Sequence, residues 1–237
     1  MSVKPILFSG PMVRALLDER KTQTRRVLKP QPVVPHGLYF QPMHGTLRDG
    51  APYGDRYTWR IVGPDYPDDH RDDVQIGYGV GDLLWVRETW RSHGDDGGLL
   101  RDQEHSTCTG PHDVMFQATC DEVERGQFKF RPSIFMPRWA NRITLEVTEV
   151  RVQRLQDISP KDAIEEGVDL LGDPNGFRDY SSSDETARLA MIPSFRTLWD
   201  SLNSKRGFGW DANPWVAAYT FNLHKQNIDE LLKERAA

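Results

Sequence analysis

The chain has 237 residues, 38% hydrophobic and 27% charged, a composition that fits a soluble globular protein and excludes fibrous or broadly disordered classes. Its formal net charge of −5 and pI of about 5.8 argue against a domain built to hold long duplex DNA, which needs a basic surface. No run of about 18 apolar residues marks a membrane span, MSVKPILFSG lacks a secretory pattern, and Cys108 and Cys120 are too few for a disulfide framework, so a cytoplasmic location is expected.

Lys4 to Phe8 reads as a short strand. A helix opens at Pro11, where a missing N–H costs nothing, and Met12, Val13, Leu16 and Leu17 recur on one apolar face. That helix is expected to deliver Arg20-Lys21-Thr22-Gln23-Thr24-Arg25-Arg26 at its end. Lys21 and Thr24 would then converge, as residues three apart do on a helix or tight turn but not on a strand. Basic residues at a helix C-terminus also complement the macrodipole without any ligand. Pro30, Pro32 and Pro35 enforce extended chain. Residues 31–77 read as a polar insertion holding one strand over 57–62. Gly81-Asp82 turns into the clearest strand, on which Leu83, Trp85 and Arg87 alternate with Leu84, Val86 and Glu88. Residues 91–127 read as a second polar insertion, with a strand over 114–118.

The loop 128–142 mixes aromatic and basic residues. A long strand pair follows over 143–155; its apolar positions alternate at 143, 145 and 147 and then slip to 150 and 152, which predicts a bulge near Thr148-Glu149. Ser159-Pro160 caps a helix that stops at Gly167, with Glu166 near its end. A polar loop over 171–186 leads to a helix over 187–204 interrupted at Pro193, with Phe195, Leu198, Trp199 and Leu202 on its apolar face. A strand over 215–221 and a charged helix over 225–237 close the chain. This order predicts one α+β domain over 1–237, a small mixed β-barrel with flanking helices and two polar insertions. Charge is uneven: 65–73 is acidic, whereas 125–154 carries Arg125, Lys129, Arg131, Arg138, Arg142, Arg151 and Arg154. A basic cleft on an acidic body suits a nucleotide-sized anion or a short strand.

Three segments carry a family resemblance: Lys21-Thr22-Gln23-Thr24-Arg25-Arg26, Gly81-Asp82-Leu83-Leu84-Trp85-Val86, and Leu155 through Gly167 with Glu166. Their order resembles the ASCH domains, a branch of the PUA-like β-barrels. More narrowly it is similar to the small bacterial acetylcytidine amidohydrolases, with their Lys-Thr-x-Thr-x-Arg segment, Gly-Asp strand and late helical Glu. The match covers the whole chain once 31–77 and 91–127 are set aside. Residues 84–90, LWVRETW, and 132–143, PSI-x-MPRWA-x-RI, resemble a larger phage and prophage ASCH family.

The resemblance implies catalytic roles for Lys21, Thr24 and Glu166. A threonine hydroxyl attacks an amide carbonyl only after a base takes its proton. Lys21 serves as that base if burial or the field of Arg20, Arg25 and Arg26 keeps it neutral. Glu166 would protonate the leaving amine or orient the lysine, and Arg26 would hold a phosphate or steady an oxyanion. No cofactor is required, and the expected partner is a modified nucleoside or short single-stranded RNA.

Two rival readings use the same residues. In a non-catalytic RNA or modified-base binding module, Trp85, Trp90, Trp139, Arg87 and Arg138 stack on and hydrogen-bond a base, with Ser133 in the same loop; the plainer reading makes Trp85 and Trp139 core aromatics. A ribonuclease would turn Lys21, Thr24 and Arg26 on phosphate. Glu88 reads either as a pocket carboxylate or as an ion-pair partner. A phage accessory protein without catalysis is the remaining class, although no heptad or repeat argues for assembly. His105, Cys108, His112 and Cys120 offer soft metal ligands at a spacing that fits no standard zinc finger, so no metal is assigned.

Overall fold

The computed structural model describes residues 2–33, 39–43, 58–62, 74–92, 109–110, 114–171, 176–184 and 188–237. The elements are, in order, β1 (Val3–Leu7), α1 (Gly10–Leu17), β2 (Gln23–Val27), β3 (Tyr39–Met43), β4 (Thr58–Val62), β5 (Val74–Gln75), β6 (Leu83–Arg87), β7 (Trp90–Ser92), β8 (Thr109–Gly110) and β9 (Val114–Phe116). They continue with α2 (Glu122–Gln127), β10 (Thr144–Arg154), α3 (Pro160–Glu165), β11 (Phe177–Arg178), β12 (Arg188–Leu189), α4 (Met191–Asn203), β13 (Trp215–His224) and α5 (Ile228–Ala236). The chain divides into two compact units, one of 1–20, 81–146 and 222–237, the other of 21–80 and 147–221.

In the first unit β1 runs parallel to β6, and β6 pairs antiparallel with the start of β10. Leu83 and Trp85 on one face of β6 pack on Ile228 and Leu231 of α5, which starts where the Asn227 side chain accepts the Asp229 N–H. Trp90, Val114 and Phe116 form a further core with Met136 and Ala140. In α1, Val13, Ala15 and Leu16 are buried, and the helix stops at Asp18 before Glu19 adopts a positive φ of 60°. The helix therefore does not carry the basic stretch at its end, as its pattern suggested. Thr24 lies on a strand instead.

In the second unit the rest of β10 neighbours β13, and β13 pairs antiparallel with β2, Tyr219 opposite Thr24 and Ala217 opposite Arg26. The core gathers Leu155, Ile158, Ala163, Val168, Phe177, Phe195, Trp199 and Val216. Helix α3 begins at Ser159, whose hydroxyl accepts the Asp162 N–H at 3.1 Å, and ends before Gly167 at φ 87°. Pro193 sits in the first turn of α4 and does not interrupt it, since N–H groups there have no helical partner to lose. Phe195 and Trp199 are buried on that helix, whereas Leu202 is 43% exposed.

The architecture is mixed α/β with mostly antiparallel pairing. Among the described residues no sheet closes into a barrel, contrary to the expectation: closure needs two neighbours for every strand, and β2 has only β13. Strand β10 is continuous over its 11 residues; Thr148 and Glu149 are consecutively exposed where its alternation slips. Both segments read as polar insertions also supply buried residues, Trp59 and Ile61 on β4 and Val114, Met115 and Phe116 on β9. No helix among the described residues is long and apolar enough to cross a membrane.

Truncating Phe195 to Ala leaves a cavity in the second unit's core, and the expected cost is about 3–5 kcal/mol in urea unfolding. Leu202→Ala on the exposed side of the same helix should stay within about 0.5 kcal/mol.

Candidate active site around Lys21 and Glu166

Strand alternation sends Gln23 and Arg25 to one face of β2 and Thr24 and Arg26 to the other. The first face meets the end of α3. The Thr22 N–H donates to Glu165 O at 2.9 Å, fixing the chain beside that helix end. Lys21, 1% exposed, then donates from Nζ to the Glu166 carbonyl at 2.7 Å and to Glu166 Oε2 at 2.9 Å. Arg25 Nη1 donates to the other carboxylate oxygen, Oε1, at 2.9 Å. One turn back on α3, Asp162 accepts from Arg25 Nη2 at 3.0 Å, Gln23 Nε2 at 3.0 Å and Arg151 Nη2 at 3.1 Å.

The structure thus brings Lys21 and Glu166 into direct contact. Thr24 is 3% exposed on the opposite face of β2, in register with Tyr219, and its hydroxyl makes no hydrogen bond among the described residues. Arg26 shares that face and interacts electrostatically with Glu166, Tyr78 and Tyr219. The Tyr219 hydroxyl accepts the Gly77 N–H at 3.2 Å, and its ring meets that of Tyr78 edge-on at 5.2 Å.

Burial is the main electrostatic influence. It pulls the Lys21 amine below the ordinary lysine range; Glu166 opposes it, and the charges of Arg26 and Arg25 add to it. Arg20, expected to contribute, is instead bonded to Asp18. Burial raises Tyr78 and pushes Tyr219 up to about 12, so both hydroxyls keep their protons at neutral pH. Burial also pushes the Asp162 carboxyl up, but hydrogen bonds from Arg151 and Gln23 and the charge of Arg25 outweigh it and bring the group to about 2.

The remaining sequence-chosen residues lie in the first unit. Glu88, 1% exposed, accepts from Arg142 Nε at Oε1 and from Nη2 at Oε2, both at 2.9 Å; it is an ion-pair carboxylate, and its partner is Arg142. Burial raises its pKa against the pull of that arginine. Trp85 is 8% exposed in the α5 core, with the Arg87 guanidinium 5.0 Å from its ring centre. Arg87 Nε donates to Met136 O at 3.0 Å. Ser133 lies in a 3-10 turn and its carbonyl accepts the Met136 N–H. Arg138 pairs with Asp229. Trp139 is 48% exposed and meets Trp90 edge-on at 6.1 Å.

His105, Cys108 and His112 lie outside the described residues; Cys120 is buried and its thiol donates to Phe116 O at 3.3 Å. Among the described residues no cluster of three acidic, histidine or cysteine side chains could hold a metal. Sequence reasoning missed Asp162 and the direct role of Arg25. The signal for Asp162 was its spacing of four from Glu166, which puts both carboxylates on one face of a capped helix. The signal for Arg25 was its shared parity with Gln23 once 23–27 is a strand.

The folded pKa of Asp162 lies below its unfolded value, so its contribution is complete above about pH 4 and fades as pH falls toward about 2. Asp162→Asn should lower the melting temperature at neutral pH and flatten the acid limb of the melting-temperature profile over that window, as followed by circular dichroism. No protein-family model, curated protein or solved structure matches the chain.

Proposed function

We propose that the chain is a PUA-like, ASCH-type cytoplasmic hydrolase that removes the acyl group from an acylated cytosine base, as a modified nucleoside or in a short single-stranded RNA. The observation that carries this reading is the buried contact between Lys21 and Glu166 beside the strand that bears Thr24 and Arg26. The Lys21–Glu166 hydrogen bond is short enough for one proton to pass along it. With the proton on nitrogen the pair is ionic; with it on oxygen the pair is a neutral amine and a carboxylic acid. Burial weakens the hold of the Lys21 amine on its proton, and the Glu166 carboxylate lies where it can receive that proton. The site therefore holds, in contact, an amine whose proton affinity burial has lowered and a carboxylate able to exchange a proton with it.

In the reaction the neutral Lys21 amine takes the Thr24 hydroxyl proton through a water molecule bridging from the other face of β2, as the oxygen attacks the amide carbonyl carbon. The oxyanion is steadied by Arg26. Glu166 gives its proton to the exocyclic nitrogen as the carbon–nitrogen bond breaks, leaving the free base and an acyl-threonine ester. Water then attacks the ester, its proton passing to the Glu166 carboxylate, and Thr24 leaves as the carboxylic acid product departs. Lys21 returns the proton it had taken to Thr24. Each acid–base contribution is worth about 10²–10⁴ in rate.

A second reading has its own observation. In the first unit Ile134, Phe135 and Trp139 are 58%, 68% and 48% exposed, and Lys129 and Arg131 beside them are exposed cations. Exposed aromatics among cations are the make-up of a surface on which unpaired bases stack.

Acetate release from acetylcytidine tests the first reading. The wild-type chain should turn it over, Lys21→Met and Thr24→Val should each lose about 10² or more in kcat/KM with folding intact by circular dichroism, and Thr24→Ser should retain activity. No release by the wild type, with retention of labelled RNA that falls on Trp139→Ala, would replace this reading with the second; cleavage of the RNA would make the same site a ribonuclease.

A further inference from the structure

A second group of cations in the same unit has no part in the chemistry above. Beyond Arg26 the chain continues through Val27 and Leu28 to Lys29, whose Nζ lies 5.4 Å from the centre of the Phe208 ring. Phe208 follows the turn Ser204-Lys205-Arg206-Gly207. That turn is closed by Gly207 at φ 80° and by the Phe208 N–H, which donates to Asn203 O at 3.2 Å. The end of β2 and this turn therefore lie side by side. Lys29, Lys205 and Arg206 are exposed, and among the described residues none of them forms an ion pair, Arg206 reaching only Asn203 Oδ1 at 3.4 Å. The carboxylates nearest in sequence are engaged elsewhere. Asp200 accepts the Trp210 N–H at 2.6 Å and lies 3.8 Å from Arg196 Nε, and Asp211 bonds to Arg196 at 3.1 Å.

Arg26 precedes this group on the strand. It is partly exposed and lies in register with Ala217. Burial, and in smaller part the Arg206 charge, press its pKa below the ordinary arginine value, against Tyr78, Glu166 and Tyr219. Like charges within reach of each other repel; an anion between them replaces the repulsion with charge-assisted hydrogen bonds, and a planar guanidinium suits the oxygens of a phosphate.

We infer that Lys29 and Arg206, beyond Arg26 on the strand, form a phosphate-binding end to the site, so that the base reaches Lys21 and Thr24 as part of a phosphorylated nucleotide. The phosphate is a terminal monoester or an internal diester of a short strand. The identity of the base rests on the proposed deacylation, but phosphate binding does not require turnover.

Titration calorimetry with cytidine, cytidine monophosphate and a tricytidylate without terminal phosphates separates the two, since none of these probes carries an acyl group. At least one phosphate-bearing probe should bind about tenfold or more tightly than cytidine, with a preference that falls as salt is raised. Arg206→Ala and Lys29→Ala, both at exposed positions, should each reduce the preference at least about threefold, whereas Lys233→Ala on α5 should not. Preference for the monophosphate identifies the monoester and preference for the trinucleotide the diester. Equal or undetectable binding of all three probes, or a preference that neither variant reduces, overturns the inference. Absent acetate release with the phosphate preference intact removes the hydrolase reading and leaves this one standing.

Discussion

The carboxylate of Glu166, held on one oxygen by Lys21 and on the other by Arg25, is the interaction on which the second unit's buried charge arrangement depends. Three charged groups at 1–4% exposure are tolerated only because each is neutralised and hydrogen-bonded by the others; an isolated charge at that depth would change protonation state or draw in water. Asp162 extends the arrangement along α3, accepting from Arg25, Arg151 and Gln23. Arg25 is therefore shared between two carboxylates four residues apart. The helix end and the strand can take only one relative position without stranding a charge.

That arrangement sets the basic run apart from a solvated basic patch. A lysine on a solvated face stays protonated and repels other cations. Lys21 is buried against the Glu166 carboxylate, and burial drives its proton affinity down against the pull of that carboxylate. The face of β2 that carries Thr24 and Arg26 is the other half of the layout: among the described residues the strand pairs with β13 alone, and Tyr219 and Tyr78 stay protonated beside it.

The first unit uses similar residues differently. Glu88 and Arg142 are a buried, doubly hydrogen-bonded pair, and Arg142 also lies 4.0 Å from the centre of the Phe116 ring. Such a pair is strongly destabilising to break and contributes little to net stability when whole, which is the behaviour of a structural element. Trp85 is likewise part of the packing against α5. Sequence left Trp85 and Trp139 as either base-stacking or core aromatics and Glu88 as either a pocket carboxylate or an ion-pair partner; Trp85 and Glu88 are buried, whereas Trp139 is 48% exposed. Alternation on a strand identifies faces but does not say which face another element covers.

What the chain determined by itself was local. Pro11, Ser159-Pro160 and Gly167 mark helix ends through single-residue constraints on φ, missing N–H groups and capping hydroxyls, and α1 and α3 follow them. The period-two segments at 83–87 and 144–154 became strands for the same reason, and the basic run at 20–26 stood out by composition alone. Tertiary structure decided the rest. Glu19 turns the chain out of α1, so that Lys21 and Thr24 are set by strand geometry and not by helical spacing. Arg25 faces Asp162 and Glu166 because α3, from 137 positions further along the chain, packs against that face of β2. No local propensity encodes such a meeting: it follows from burying α3 and α4 on one core, and the charges at its edge are then sorted by the cost of leaving any of them without a partner.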